Sequence, residues 1–283
     1  MDRWTSVGSA RLLVIEDGLA TYKIGFAIDV LEGVPTEQLP EEIRSRFAED
    51  GLIYLPYNAT LIRTGPTTVL VDFGAGTEAA LEWEEDVGHA AESLHRAGVA
   101  PDEVEIAVIT HAHADHLGGF VATIDGERAP RFRRARHLIS EAEWRYWVEE
   151  KPAGVSAEMT PDARRDLNLL RDAGVLELVD GSEGIADGVR LLATPGHTPG
   201  HLSVLVGSGS DTAVVSGDVL LTPWAFAHPE WNAAADVDPE LAVRTRRALF
   251  DRLAESGGLL FAFHLEAPAR VGRAGDAYAS LPV

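Results

Sequence analysis

Short apolar runs in this chain repeatedly break off at a histidine or an aspartate. The densest case is Thr110-His111-Ala112-His113-Ala114-Asp115-His116-Leu117-Gly118-Gly119, directly after the apolar run 106–109. His197 follows the run 189–193, within Thr194-Pro195-Gly196-His197-Thr198-Pro199-Gly200-His201. Asp218 follows Val214-Val215-Ser216-Gly217, and His264 closes Leu259-Leu260-Phe261-Ala262-Phe263. Strand ends along one sheet edge are where side chains from distant parts of a chain converge. In extended backbone, side chains two apart point the same way, so His111 and His113 can meet one cation. Asp115 and His116 fall where the chain turns into a helix, which aims them at a neighbouring position. Ala112 and Ala114 leave room for the ligands to converge. Three histidines and an aspartate within six residues do not read as ordinary core packing.

Around these positions, β-rich runs alternate with Gly/Asp turns and helical stretches. The predicted strands are 12–16, 59–63, 67–72, 106–110, 137–139, 189–193, 203–206, 213–216 and 259–263. Thr64-Gly65-Pro66-Thr67 reads as a hairpin turn. The predicted helices are 36–48, 79–97, 141–149, 161–173 and 239–256. The last opens on Asp238-Pro239-Glu240, with a capping aspartate and a first-turn proline, and stops at Gly257-Gly258. This alternation predicts an α/β (or α+β) sheet-based fold covered by helices. No linker or composition break divides the chain, so one domain over 1–283 is expected. Its first 57 residues would form an N-terminal strand and an irregular arm or lid, and 58–283 the metal-binding core.

Composition narrows the function. There are no cysteines, so thiolate metal sites and cysteine nucleophiles are excluded. The 45 acidic residues against 24 basic ones give a formal charge of −21. That field repels phosphate backbones and argues against nucleic-acid or anionic-membrane partners. No run approaches the ~18 apolar residues of a membrane span, and the first residues do not read as a leader, so a cytoplasmic location is expected. The seven candidate ligands are five imidazoles and two carboxylates, a set that suits zinc and tolerates Fe2+, Mn2+ or Co2+.

The His-x-His-x-Asp-His signature, the Thr-Pro-Gly-His segment, the Gly-Asp at a strand end and the last histidine resemble the metallo-β-lactamase superfamily, in the family's order, from about Ala59 to His264. The resemblance implies a four-layer αββα sandwich with a dinuclear metal site at one edge. It places His111, His113 and His197 on the first metal, and Asp115, His116 and His264 on the second, with Asp218 bridging. Asp72, in Leu70-Val71-Asp72-Phe73-Gly74, matches a family aspartate that orients a ligand histidine from behind. His201 is read as a structural hydrogen-bonding residue. A hydroxide bridging two such metals would be the nucleophile, since metal-bound water can be deprotonated near pH 7.

The absence of cysteine together with the presence of Asp218 argues against a true β-lactamase. Flavodiiron proteins carry Glu where this chain has His113. Glutathione-thioester hydrolases add a helical segment for which the 19 residues after His264 are too few. Nucleases add basic surfaces. What remains resembles the lactonases and the methyl-parathion-hydrolase-like enzymes. Acyl-homoserine lactonases commonly carry a Tyr shortly after the bridging Asp, and here Val219-Leu220-Leu221-Thr222 follows instead. The expected function is a dinuclear zinc hydrolase that opens a small-molecule ester or lactone. Asp115 and Asp218 would be the catalytic carboxylates, with Asp115 passing a proton to the leaving alkoxide. Trp147, Trp224, Phe226 and His228 are expected in the substrate pocket. The alternatives are a phosphotriesterase, then a β-lactamase, an iron-dependent oxygenase or a non-catalytic metal-binding protein. Relatives imply a homodimer.

Overall fold

The computed structural model describes residues 4–44, 52–150 and 152–283. Among these, two seven-stranded sheets pack face to face. The first runs in the order Thr5–Val7, Ala10–Lys23, Leu52–Thr64, Thr67–Val71, Ile106–Val108, Arg136–Ser140, Leu176–Val179. The second runs Gly184–Ala186, Val189–Ala193, Leu202–Ser208, Asp211–Val215, Leu259–Phe261, Ala269–Ala274, Ala277–Leu281.

Strand periodicity sorts the apolar residues into three layers. Leu12, Ile62, Val69, Val71 and Val108 face inward, onto Val189, Leu191, Val204, Val215 and Phe261 of the second sheet. Their chain neighbours Leu13, Leu61, Leu70 and Ala107 face outward, in the cluster that holds Leu94 of the helix Ala90–Arg96 and Leu167 of Val155–Asp172. On the far side, Val214 and Leu260 pack under the helix Pro239–Ser256 through Leu249, Phe250 and Leu253. The result is the expected four-layer αββα sandwich. No helix among the described residues is long and apolar enough to cross a membrane.

The topology brings the ligand positions to one edge. Thr67–Val71, Ile106–Val108 and Arg136–Ser140 are parallel, as are Asp211–Val215 and Leu259–Phe261. Val189–Ala193 points the same way as Asp211–Val215, because both are antiparallel to the strand between them. The C-terminal strand ends of both sheets therefore meet, and a hydrogen bond from the Leu202 N–H to the Thr110 carbonyl joins them at 2.9 Å.

Several expected elements differ. The helix predicted over 36–48 is a single turn Thr36–Gln38 followed by Glu41–Arg44, and its last four residues lie outside the described ones. Pro40, with no N–H and a restricted preceding residue, separates the two. The helix predicted over 79–97 divides into Gly76–Trp83 and Ala90–Arg96. The break is tertiary: Asp17, buried at a bulge, accepts the Ala75, Gly88 and Ala90 N–H groups, and the Asp86 carbonyl accepts the Leu19 N–H. The helix expected to open at Pro161 begins a turn and a half earlier, at Val155. The boundary placed after residue 57 falls inside the strand Leu52–Thr64, which pairs along its length with Ala10–Lys23. Residues 52–57 are thus the first part of that strand, paired with residues 18–23 across a long hairpin.

Candidate metal centre

Seven side chains arrive at the shared edge. Their donor atoms form two groups: His111, His113, His197 and Asp218, and Asp115, His116 and His264. In the first group, His113 Nδ1 lies 2.9 Å from His111 Nε2 and 3.1 Å from His197 Nε2. Asp218 Oδ2 lies 3.3 Å from His197 Nε2 and 3.9 Å from His111 Nε2. In the second, Asp115 Oδ2 is 3.6 Å from both His116 Nε2 and His264 Nε2. Asp218 reaches this group too, with Oδ1 at 3.2 Å from His116 Nε2 and Oδ2 at 3.4 Å from His264 Nε2. Its carboxylate lies between the groups.

The donors fit metal ions. Ligands about 2.1 Å from a tetrahedral zinc stand about 3.4 Å from each other, in the range of these separations. His113 Nδ1 faces two other ring nitrogens, and one proton cannot satisfy three such atoms. His116 Nε2 and Asp218 Oδ1 are buried with no hydrogen-bond partner, although they face each other. Orphaned buried atoms are costly unless a cation meets them.

Four of the five histidines have the remaining ring nitrogen tied, which orients the ligating one. His116 Nδ1 donates to Asp72 Oδ2 at 2.8 Å, and Asp72 also accepts the Thr110 N–H and hydroxyl at 2.9 Å each. With its hydroxyl proton on Asp72, Thr110 accepts from His111 Nδ1 at 3.0 Å. His197 Nδ1 donates to Asp236 Oδ1 at 2.7 Å, and His264 Nδ1 to the Pro56 carbonyl at 3.0 Å. His201 Nε2 accepts the Asp218 N–H at 3.0 Å while Nδ1 meets the Thr194 hydroxyl at 2.9 Å, so neither nitrogen is left to ligate. The Asp218 turn is tight: a Cβ on Gly217, at φ +50°, would stand 2.8 Å from His201 Nε2 and Thr110 Oγ1.

The electrostatics point to a cation as well. Burial and neighbouring imidazoles hold His111 and His113 well below the usual histidine range, so both imidazoles are neutral. Burial also opposes charge on His116, but Asp218, Asp115 and Asp72 together carry its pKa well above that range. Burial opposes charge on Asp218 too, and His116 and His264 overcome it, holding that carboxyl well below the usual range. The carboxylates thus call for positive charge at this spot, as a proton or as a metal ion.

A cavity of about 390 Å3 opens on this floor. The hairpin walls it with Ala20, Thr21, Tyr22, Leu55 and Tyr57, and Phe26, Trp83, Met159 and Leu221 add apolar surface. Four expected pocket residues are corrected, since none of them lines it. Trp147 is fully buried behind His113, its ring edge-on at 5.5 Å and its N–H on Glu143. Trp224 packs with Ile28, Ile53 and Leu55. Phe226 stacks on Phe250 at 5.1 Å, and His228 on Trp231 at 3.8 Å. Closeness to Asp218 in sequence misled here, because the chain turns back into the core after residue 221. Sequence reasoning also missed Asp236, Glu143, Tyr22 and Tyr57, which lie in no motif and meet the site only through long-range contacts.

The chain belongs to the metallo-beta-lactamase superfamily, whose family model matches residues 53–264. It is 34% identical over 165 residues to metallo-beta-lactamase domain-containing protein 1 of Xenopus laevis, covering 57% of this chain and 53% of that protein. It is 26% identical over 242 residues to an N-acyl homoserine lactonase of Bacillus cereus, covering 78% and 86%. The chain spans about half the length of the first curated relatives it matches. Among solved structures, the dizinc quorum-quenching lactonase AidC superposes with a TM-score of 0.84 at 21% identity, over 100% of this chain and 97% of that one. The hydrolase AbOPH superposes at 0.85 with 23% identity, over the same shares. At those identities the likeness is one of fold.

Proposed function

We propose that this chain is a dinuclear, zinc-dependent hydrolase that opens an ester or lactone. The observation that carries the reading is the convergence of seven buried or half-buried donors, three of them with an orphaned atom, on the floor of a largely apolar cavity. Two bound dications would polarise a carbonyl oxygen and supply hydroxide at neutral pH. The lactonases among the relatives support a cyclic ester.

The chain's own residues divide the remaining work. Asp218 links the two donor groups and sets their spacing. Asp115 faces the cavity with its side chain 15% exposed, so its carboxylate can carry a proton to the leaving alkoxide. Phe26, Leu55, Trp83, Met159 and Leu221 take an apolar substituent. Glu85 and Asp162 also line the cavity, which disfavours anionic substrates and speeds departure of a carboxylate product. The Tyr22 and Tyr57 hydroxyls hydrogen-bond to each other. Burial keeps both phenols protonated, helped by Asp115. One proton joins the pair, and the second is free for a substrate oxygen.

The test is the initial rate of zinc-loaded protein on γ- and δ-lactones, an acyl-homoserine lactone, an aryl ester, an aryl phosphotriester and a β-lactam, with Asp218→Ala as blank. Lactone or ester turnover absent from the blank supports the reading. Turnover of the phosphotriester alone replaces it with phosphotriesterase activity, and silence with two metals bound rejects hydrolysis.

A further inference from the structure

Glu143 lies in the short helix Glu141–Trp144, where Ser140 Oγ accepts the Glu143 N–H at 3.0 Å. Its side chain is fully buried. A buried carboxylate is tolerated only when its lone pairs are filled, and here four donors fill them. Oε1 accepts the Ala112 N–H at 3.0 Å and the Trp147 indole N–H. Oε2 accepts the Thr198 hydroxyl at 2.8 Å and the Gly200 N–H at 3.1 Å.

These donors share a property. Ala112 sits between His111 and His113, Thr198 follows His197, and the Trp147 ring stands against His113. Three of the four contacts lead to the histidines grouped with Asp218, the fourth, Gly200, lies three residues after His197 in the same loop, and none leads to Asp115, His116 or His264. The two loops are remote in sequence, so their register needs a long-range tie. The approach is close as well. Ser140 Oγ donates to the Gly200 carbonyl at 2.6 Å, and a Cβ on Gly200 would lie 2.1 Å from the Glu143 nitrogen. The other histidines are served from elsewhere, His116 by Asp72 and His264 by the Pro56 carbonyl.

We propose that Glu143 is a positioning residue for one of the two metal positions only, tying the loops at 111–113 and 197–200 in the register that brings His111, His113 and His197 together. The inference rests on the dinuclear-metal reading. Glutamine cannot take over the task. In one amide orientation its NH2 faces the Ala112 and Trp147 N–H groups, and in the other it faces the Gly200 N–H.

The experiment is stepwise zinc binding to the metal-free full chain, read by competition with a chelator of known affinity. Glu143→Gln is expected to weaken one zinc by about 10- to 100-fold, the usual cost of losing a partner behind the ligands. The second zinc should stay within about threefold of wild type. In a His113→Ala background Glu143→Gln should then change nothing further, and in a His264→Ala background it should keep its full effect. Equal weakening of both zincs, or of neither, overturns the inference while leaving the dinuclear site standing. A wild-type chain that binds no zinc overturns both. If Glu143→Gln does not fold without metal, Trp147→Phe and Thr198→Val each remove one donor and are expected to show the same selective loss. A merely structural buckle would lower Tm without distinguishing the two metal positions.

Discussion

The floor of the cavity and its walls are held by different forces. On the floor, His111, His116, His197 and His264 each have a second ring nitrogen bound to Thr110, Asp72, Asp236 or the Pro56 carbonyl. On the walls, Phe26, Leu55, Trp83, Met159 and Leu221 meet the space by apolar contact alone, and the Tyr22–Tyr57 pair keeps a spare proton. Hydrogen bonds are directional, so the floor has one working arrangement. Apolar contact tolerates exchange of shape at similar volume, so Phe26, Trp83, Met159 and Leu221 can vary without disturbing the floor, whereas Pro56, between Leu55 and Tyr57, ties the hairpin wall to His264. The expectation that follows is that changes to the donor set and changes to the apolar wall have separate effects.

The strongest way to break that separation is to remove the group shared by both donor sets. Asp218→Ala is expected to lose tight binding of both metals and to reduce hydrolysis to the level of chelator-treated protein, as metal analysis and initial rates would show. Next, Asp236→Asn reaches the floor from behind. It should weaken one zinc by about 10- to 100-fold while the ranking of substrates by kcat/KM at saturating zinc stays unchanged. A changed ranking would show floor and walls to be coupled. Replacing both Tyr22 and Tyr57 by Phe tests the wall, since either phenol alone keeps a proton for substrate. Loss of one hydrogen bond predicts a KM about tenfold higher, with zinc affinity and kcat preserved, and only for substrates that carry an acceptor oxygen. A fall in zinc affinity would move the pair to the floor. The smallest effect belongs to His228→Ala, off the cavity and stacked on Trp231. Its kcat/KM should remain within about twofold of wild type, the usual reach of a surface change.

Parts of this design can be read in the residues. The strand Val189–Ala193 and the helix Pro239–Ser256 have the bounds that periodicity predicts, and Asp238 caps that helix by accepting the Leu241 N–H at 2.9 Å. The donor set is legible because strand ends repeatedly carry histidine or aspartate. The hairpin is not. Asp17-Gly18 looks like a turn that ends a strand, yet the strand runs on to Lys23 through a bulge. Asp17 is drawn inward there by three N–H groups more than fifty residues away. Gly18, at φ +143°, leaves space that a Cβ would close, since it would fall 2.0 Å from the Asp86 carbonyl oxygen. Tyr22 and Tyr57 therefore look like ordinary strand aromatics until Gly18 and Tyr57 pair across the hairpin.

By itself, then, the sequence determined the chemistry of the floor: which atoms can donate, that they sit at strand ends, and that imidazole and carboxylate without thiolate suit zinc. Those are local properties, written in residue type and in a period of two. Which side chains wall the cavity, that Asp236 stands behind His197, and that Glu143 joins the loops at 111–113 and 197–200 come from the packing of distant elements. Those relations join residues tens of positions apart, and no local pattern encodes a contact that exists only once the two sheets have packed.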